Sequence, residues 1–355
     1  MLWLSESSYF SRKRYNYFKI KNNTKRKFSF VFSTFNYMRH LILILFLPFL
    51  SFSQSIYNDI EVLFQNKEYV KAESILQDFI SKQPQDLKAN ELLGDAYGHQ
   101  EKWDKAIFQY KFLVEKNNAN ANYHYKYGGS LGMKALSVNK LKALTLIGDI
   151  KKEFHAAANL DLQHIESRWA LVELYMQLPS ILGGSKKKSL QYADELYSLS
   201  PVDGFLAKGY VYEYDKQPKL AEENYKKAIK VGGSLTCFEK LTSLYEKENQ
   251  PQKAIQNIEK ARDKHQRNAL HYQIGKVCAD YNVQLDKGVK CLTTYIKNYS
   301  VKDGVPLKWA YYRLAQIFKH KNDKVNALKW IDKALASQSD FESAQEFKSQ
   351  IVKMK

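Results

Sequence analysis

The sequence predicts an all-α protein made of about eight repeated helix pairs followed by one capping helix. Three observations predict this fold: apolar residues recur at spacings of three and four, small residues recur about every 34 positions, and turn-forming residues are few. Only 7 prolines and 15 glycines occur in 355 residues, which is sparse for an all-β chain with many turns. The spacing is that of a helix with one buried stripe. One pair cannot bury its stripe alone, so neighbouring pairs must stack.

A small residue on the second helix of each predicted pair defines the repeat. Successive markers lie 32 to 44 residues apart, and seven of the eight are small, as a close helix crossing requires. Aromatic residues recur on the first helices. We therefore predict an array over residues 55–339 and a capping helix over 340–355. The markers are Ala72, Ala106, Ile150, Ser189, Ala221, Ala254, Gly288 and Ala327, and the first-helix aromatics are Tyr97, Tyr175, Tyr212, Tyr245 and Phe318.

The window that begins at Leu93-Gly94 carries the most specific pattern. It continues with Tyr97 and then, on the next predicted helix, with Ala106 and Tyr110. A tetratricopeptide repeat has Leu-Gly and Tyr on its first helix, and Ala with an aromatic residue on its second helix, at these spacings. The chain therefore resembles the tetratricopeptide-repeat family. The resemblance implies a right-handed superhelical solenoid that binds a protein or peptide in its concave groove.

Two units depart from the repeat pattern. The third carries about ten extra residues and has Ile150 at the small position, so we expect a lengthened pair between Tyr123 and Leu160. The fourth contains a Pro–Gly-Gly-Ser loop and resembles a subset of bacterial repeat proteins with such a loop. There Pro179 should end the first helix, and Ser185 can cap the next.

A segment near the amino terminus has the three parts of a secretory signal. Met38-Arg39-His40 precedes the apolar run 41–50, and small residues occupy the positions before a cut after Ser53. Ten apolar residues are too few for a membrane-spanning helix, which needs about 20. We predict a signal peptide over 38–53. It resembles the signals of Bacteroidetes-type bacteria, which often end in a Ser-Gln junction such as Ser53-Gln54.

Two interpretations of residues 1–37 stay open. Because a second Met stands where the signal should begin, the preceding stretch is either translated upstream sequence from a mis-assigned start or a basic disordered tail. The first interpretation predicts a periplasmic or secreted protein, and the second an inner-membrane protein anchored by an uncleaved signal. No Cys lies near the cut, which excludes a lipoprotein anchor.

Of the formal charge of +18, eight charges lie in residues 1–54 and about ten are spread over the rest of the chain. Residues 1–54 carry nine basic residues and one acidic residue, of 55 and 37 in the whole chain. The remaining basic residues are spread along the helices without a long block. We therefore interpret them as a solvated surface and predict no nucleic-acid partner. Peripheral contact with an anionic envelope surface stays as an alternative.

No catalytic constellation is evident, so we predict no enzyme, no cofactor and no metal site. The eight His residues form no zinc motif, and the three cysteines show no CxxC or metal-type spacing, which favours buried packing thiols. The segment 183–189 lacks the frame of a phosphate-binding loop. Free N–H groups at a helix start next to lysines still make a candidate anion site. Its residues are Ser185, Lys186, Lys187 and Lys188.

The resemblance also implies which residues line the concave face. Exposed aromatic residues beside carboxylates suit recognition of an extended peptide or a helix, although the same aromatics could instead pack between repeats. The two-carboxylate clamp of chaperone-binding relatives is absent, because Glu91 and Asp95 occupy two of its key places. The predicted partner-binding residues are Asp95, Tyr125, Trp169, Glu173, Tyr210, Tyr214, Trp309, Tyr312 and Gln316, with Glu166, Glu239 and Glu246 at equivalent positions.

The leading functional hypothesis is a non-catalytic exported scaffold that holds a protein or peptide partner in its groove. One alternative is the soluble repeat subunit of an envelope transport system. A second is an accessory that binds anionic lipid or cell wall through a lysine-rich surface. The fold alone cannot choose among them, since one repeat architecture serves many functions.

Overall fold

The computed structural model describes residues 56–354. The predicted signal peptide, residues 38–53, and the upstream segment 1–37 lie outside the described residues. The described residues divide into two compact units, residues 56–185 and 186–354, and each is described by itself. Throughout the described range the secondary structure is helical, with seventeen α-helices and no strand.

The first unit contains seven of these helices and a short 3₁₀ turn, Ser180–Leu182. Its α-helices are α1 (residues 56–65), α2 (Tyr69–Lys82), α3 (Leu87–His99), α4 (Trp103–Lys116), α5 (Ala121–Ser137), α6 (Lys140–Leu160) and α7 (Ile165–Gln177).

The second unit contains the other ten α-helices and a second 3₁₀ turn, Val301–Asp303. Its α-helices are α8 (Lys186–Leu199), α9 (Pro201–Tyr214), α10 (Pro218–Val231), α11 (Leu235–Lys247), α12 (Pro251–His265), α13 (Ala269–Asp280), α14 (Leu285–Lys297), α15 (Leu307–His320), α16 (Lys324–Ser337) and α17 (Glu342–Val352).

Within each unit, helices that follow one another in the chain pack side by side, and first helices also touch the next first helix, as α13 touches α15. The predicted all-helical fold of stacked pairs is confirmed. All eight marker residues lie on second helices and are buried. Small side chains are needed there because the two helices of a pair cross at short distance.

The same close contact recurs in several pairs. A Cβ atom on Gly94 would lie 2.7 Å from the ring of Tyr110, and one on Gly209 would lie 2.3 Å from the ring of Tyr225. A glycine on the first helix therefore makes room for a large side chain on the second. This contact explains why the Leu-Gly pair was an informative part of the sequence pattern.

The turn inside most pairs also repeats. One residue takes a left-handed conformation, and the N–H of the next residue donates to a carbonyl five positions earlier. In the second pair, Glu101 has φ 58° and Lys102 N donates to Tyr97 O at 2.9 Å. The equivalent left-handed residues are Lys67, Lys216, Asn249 and Asn322.

The lengthened pair is confirmed, and so is the helix end before Pro179, whereas the cap by Ser185 stays a prediction. Helices α5 and α6 have 17 and 21 residues, whereas the other paired helices from α2 to α16 have 12 to 15. Helix α7 ends at Gln177, two residues before Pro179. The following loop turns at Gly183 (φ 85°), and Lys151 Nζ on α6 donates to Leu182 O at 2.5 Å. The lengthened helix therefore supports the loop.

Candidate functional site

The first unit contains an apolar cleft between α5, α6 and α7. Its volume is about 880 Å³, including the part open to solvent. Side chains from all three helices form its walls, and most of them are apolar. They are Tyr125, Gly129, Gly132, Met133, Ala135, Ala143, Ile147, Ile150, Phe154, Glu166, Trp169, Ala170, Glu173, Leu174, Gln177 and Leu178.

Small residues on facing helices keep this cleft open. Gly132 and Ala135 on α5 face it, with Ala143 on α6 and Ala170 on α7. A Cβ atom on Gly132 would meet no atom within 4 Å, so the space beside it is unfilled. The extra turns of α6 extend one wall through Ala143 and Ile147. The lengthened pair therefore forms two of the three walls of this cleft.

Polar contacts between the three helices hold the walls in place. His124 Nδ1 on α5 lies 2.5 Å from Glu153 Oε2 on α6, and both side chains are buried. His155 Nε2 on α6 hydrogen-bonds the Tyr175 hydroxyl on α7 at 2.8 Å. Buried hydrogen bonds of this kind fix the relative position of the helices that carry them.

The polar groups at the cleft include two carboxylates, Glu166 and Glu173, and among residues 56–354 no Lys, Arg or His is part of the lining. The Glu166 side chain is 43% exposed. His164 Nδ1 lies 3.7 Å from its carboxylate, but that nitrogen accepts the Ser167 N–H at 3.1 Å. Burial, helped by Arg168, also lowers the pKa of His164. His164 is therefore neutral near pH 7 and does not compensate the charge of Glu166.

Three predicted partner-binding residues, Tyr125, Trp169 and Glu173, line this one cleft, together with Glu166. The Tyr125 ring is partly exposed and lies 5.3 Å from the His164 ring. The expectation that Trp169 would be partly exposed is wrong, because its side chain is only 4% exposed. Trp169 lies within the wall, where α7 packs on the lengthened pair.

Asp95 is not an exposed groove carboxylate either. It is 8% exposed and belongs to a buried ionic cluster. Lys126 Nζ lies 2.8 Å from Asp95 Oδ1 and 2.5 Å from Glu91 Oε1, and the Tyr110 hydroxyl donates to Asp95 at 2.7 Å. Burial opposes the charge of Lys126, but Asp95 and Glu91 outweigh it and raise its pKa. Sequence reasoning missed Lys126, which reaches these carboxylates from the next repeat.

In the second unit, the predicted residues on α9 and α15 have different surroundings. The Tyr210 and Tyr214 rings lie 6.1 Å apart on α9, and Tyr214 is 45% exposed. Trp309 lies 4.7 Å from the Phe341 ring, and Tyr312 lies 5.3 Å from the Phe347 ring of α17. The aromatic residues of α15 therefore pack against the start and the side of the last helix. This is the alternative role, packing between neighbouring elements, that the sequence analysis left open for them.

Gln316 and Glu246 belong to a chain of polar contacts along the first helices of the second unit. Lys276 Nζ lies 3.2 Å from Glu246 Oε1 and 3.5 Å from Asp280 Oδ2. Arg313 pairs with Asp280 and donates to Gln316 at 2.8 Å. Two cations and two carboxylates alternate in this network, so it carries no net charge. Lys276 and Arg313 were not predicted, because only the fold shows that they meet.

The candidate anion site is already partly compensated. Lys186 pairs with Asp215 and lies 5.3 Å from the centre of the Tyr212 ring. Lys187 and Lys188 are exposed, and Ser185 directly precedes α8. Gly184 fits the loop closely, since a Cβ atom there would lie 1.7 Å from Leu178 O. The glycine pair thus has a structural reason that needs no ligand.

Within residues 56–354, no group of three or more His, Cys, Asp or Glu side chains has the arrangement of a metal site. Across the same range, every helix is too short or too polar to cross a membrane. Cys237, Cys278 and Cys291 are free and buried, as predicted. Burial, with Cys291 nearby, raises the pKa of Cys278 to about 12. This thiol is therefore protonated and weakly nucleophilic near pH 7.

Stacked helix pairs, with small residues at seven of the eight crossings of this chain, are typical of helical repeat proteins. Residues 310–341, which comprise most of α15 and all of α16, match the tetratricopeptide repeat. This stretch of the chain thus carries a tetratricopeptide repeat. Proteins with this repeat are typically non-catalytic scaffolds, and their fold supports binding of proteins or peptides.

Solved structures with similar folds are also tetratricopeptide-repeat proteins. One from Parabacteroides merdae is 14% identical over 84% of this chain and 98% of its own, with a TM-score of 0.45. The C-terminal part of another, from Cytophaga hutchinsonii, is 16% identical over 82% and 98%, with a TM-score of 0.41. YrrB, described as having an unusual peptide-binding site, is 20% identical over 55% and 97%, with a TM-score of 0.39. No curated protein matches the sequence.

Proposed function

We propose that this chain is an exported, non-catalytic scaffold that binds a protein or peptide partner through surfaces on the first helices of its repeats. The observation that carries the proposal is the cleft of the first unit. Tyr125, Trp169 and Glu173, chosen from the sequence as groove residues, line the same apolar cleft with carboxylates at its edge. Apolar concave surfaces with a few polar groups are the usual form of a binding site.

Export is supported by residues 38–54, where a basic start, an apolar run and small residues come in the order of a secretory signal. A scaffold that acts in the envelope also fits a chain whose three thiols are all buried, because an oxidising compartment then leaves them unreacted. The mature scaffold would begin at Gln54, just before α1.

The binding role is tested by isolating the protein from the envelope fraction of its native source after mild chemical cross-linking. Mass spectrometry should find the mature chain beginning at Gln54 and a reproducible cross-linked protein partner. A mature chain that retains Met1 would contradict cleavage. A chain recovered without any cross-linked protein, at several cross-linker lengths, would contradict the scaffold role.

A further inference from the structure

The first ten residues of α6, residues 140–149, have an outer face that points away from the cleft; we name this segment the α6 tip. We propose that the outer face of the α6 tip lies on the surface of a bilayer that contains anionic phospholipid. This contact uses no side chain that lines the cleft, and it goes beyond the proposed binding of a protein partner.

The α6 tip is largely apolar, yet the rest of the unit covers it poorly. Its sequence is KLKALTLIGD, in which five of ten residues are Leu, Ile or Ala. All five buried residues of α6 lie in its second half, from Ile150 on. In the tip, Leu141 is 78% exposed and Leu144 is 45% exposed. Exposed apolar surface beside polar residues marks a place of contact with a protein or a membrane.

The tip is exposed because it extends past a neighbouring helix. Helix α7 ends at Gln177, and Lys151 of α6 already contacts Leu182 O in the loop beyond that end. The first turns of α6 therefore project past α7, with only α5 packed along one side. A projecting helix end can reach a flat surface, whereas a residue inside a concave groove cannot.

Two leucines and two lysines share the outer face of the tip. Successive residues of an α-helix are turned by about 100°, so Leu144 projects about 60° from Leu141. By the same geometry, Lys140 and Lys142 flank Leu141 on its two sides. This is the pattern of a helix in a membrane interface, where apolar side chains enter the lipid and long lysine side chains reach the headgroups.

The charge of the tip favours an anionic surface. Residues 135–148 contain two lysines and no acidic residue, and Asp149 follows only at the far end of the tip. Within the described residues, neither lysine of the tip has an acidic partner, whereas the nearby Lys134 is paired with Asp104. About ten net positive charges are spread over the chain after residue 54, which adds a long-range attraction to a negative membrane.

Other occupants match this face less well. A second copy of the chain would bring four lysines together if two tips met, and like charges repel at such a contact. A small soluble anion would leave both leucines exposed to water. An anionic bilayer supplies negative headgroups and apolar chains together, so it satisfies both kinds of side chain.

Sedimentation with lipid vesicles tests the proposal on the purified chain that begins at Gln54. This chain keeps α1 to α17 and lacks the apolar run 41–50, which would enter lipid by itself. It should bind vesicles of phosphatidylethanolamine and phosphatidylglycerol about tenfold more tightly than vesicles of phosphatidylcholine. Added salt should weaken binding to the anionic vesicles.

A first pair of variants tests the apolar contact. Leu141→Gln combined with Leu144→Gln should weaken binding to the anionic vesicles about tenfold, because the side chains that enter the lipid are lost. The matched control is Leu220→Gln combined with Val325→Gln, two side chains of the second unit that are 39% and 78% exposed. The control should bind like the unchanged chain. Gln is a good helix former, so thermal melting should show that both variants are folded.

A second pair of variants tests the charged contact. Lys140→Gln combined with Lys142→Gln should weaken binding about tenfold at low salt, and the difference should shrink as salt is added. Lys290→Gln combined with Lys297→Gln removes the same charge from exposed positions on α14. This control should weaken binding less than about twofold, because distant charges are screened.

Two results would overturn the proposal outright. One is failure of the unchanged chain to bind the anionic vesicles. The other is an equal loss in the tip variants and their controls, since binding would then follow overall charge or apolar surface instead of the α6 tip. Equal binding to both kinds of vesicle would overturn the preference for anionic lipid. The scaffold role is judged separately, by the cross-linked protein partner from the envelope.

Discussion

Two lysines on α5 show how burial changes what an ion pair contributes. Lys126 reaches Glu91 and Asp95 with only 5% of its side chain exposed. Lys134 reaches Asp104 at 2.7 Å, but the Asp104 side chain is 79% exposed. Both lysines join α5 to the preceding repeat. Solvent screens the pair of Lys134 and Asp104, so this pair contributes little to stability. The buried charges of Lys126, Glu91 and Asp95 are tolerated only because they pair with one another.

Replacing Lys126 with Met should therefore lower the free energy of unfolding by about 3–5 kcal/mol, because two buried carboxylates lose their cation. Lys134→Met, the matched control, should cost less than about 1 kcal/mol. Urea unfolding followed by circular dichroism measures both. Equal losses in the two variants would show that the Lys126 cluster is not buried as described.

The start of α7 requires the neutral form of His164. Its Nδ1 accepts the Ser167 N–H and so caps α7. Burial lowers its pKa below the ordinary value of 6.5. The unfolded chain therefore binds a proton at higher pH than the folded chain does. The resulting contribution to stability is present above about pH 6.5 and is lost as pH falls through the folded pKa.

His164→Asn keeps a capping side chain but does not titrate, so it should reduce the loss of stability on going from about pH 7.5 to about pH 5. Thermal melting of both proteins across this range measures the difference. His271, whose pKa burial also lowers, should contribute the pH dependence that remains in the variant. An unchanged pH profile in His164→Asn would contradict the neutral cap.

At the scale of helices, glycines have opposite roles at two places. Gly204 on α9 lies against α8, and a Cβ atom there would be 2.3 Å from Tyr197 Cα, a backbone atom that cannot move easily. Gly148 lies on an exposed face of α6, and a Cβ atom there would meet nothing within 4 Å. The first glycine allows two helices to approach, whereas the second only weakens its helix.

The same substitution should therefore have opposite effects at the two sites. Gly204→Ala should cost about 1–3 kcal/mol through overpacking. Gly148→Ala should gain about 0.5–1 kcal/mol from better helix propensity. Differential scanning calorimetry of both variants tests the packing of α8 on α9. Stabilisation by Gly204→Ala would mean that these helices are not in close contact.

The helices and their pairing could be predicted from the sequence, because the apolar and small residues that define each repeat recur at short, regular intervals. Ala72 and Ala254 reveal a helix crossing, and Pro179 reveals a helix end, without knowledge of distant residues. The surroundings of Trp169 and Asp95 could not be predicted this way. Their burial depends on α7 meeting a lengthened pair and on Lys126 arriving from the next repeat, and both are contacts between residues distant in sequence.

At the scale of the whole molecule, the candidate site exists because one repeat departs from the others. The lengthened α5 and α6, with Gly132 facing the gap, form an apolar cleft together with α7. An apolar space in a folded chain costs stability unless something fills it.

The central claim is that a protein partner occupies this cleft after export. A photoreactive benzophenone side chain placed at Gln177, on the cleft lining, tests it in living cells of the native source. Irradiation should produce a covalent adduct with another protein in the envelope fraction. The same group at Thr145, exposed on α6 and outside the cleft, should produce none. Absence of an adduct at Gln177, or equal adducts at both positions, would contradict the account.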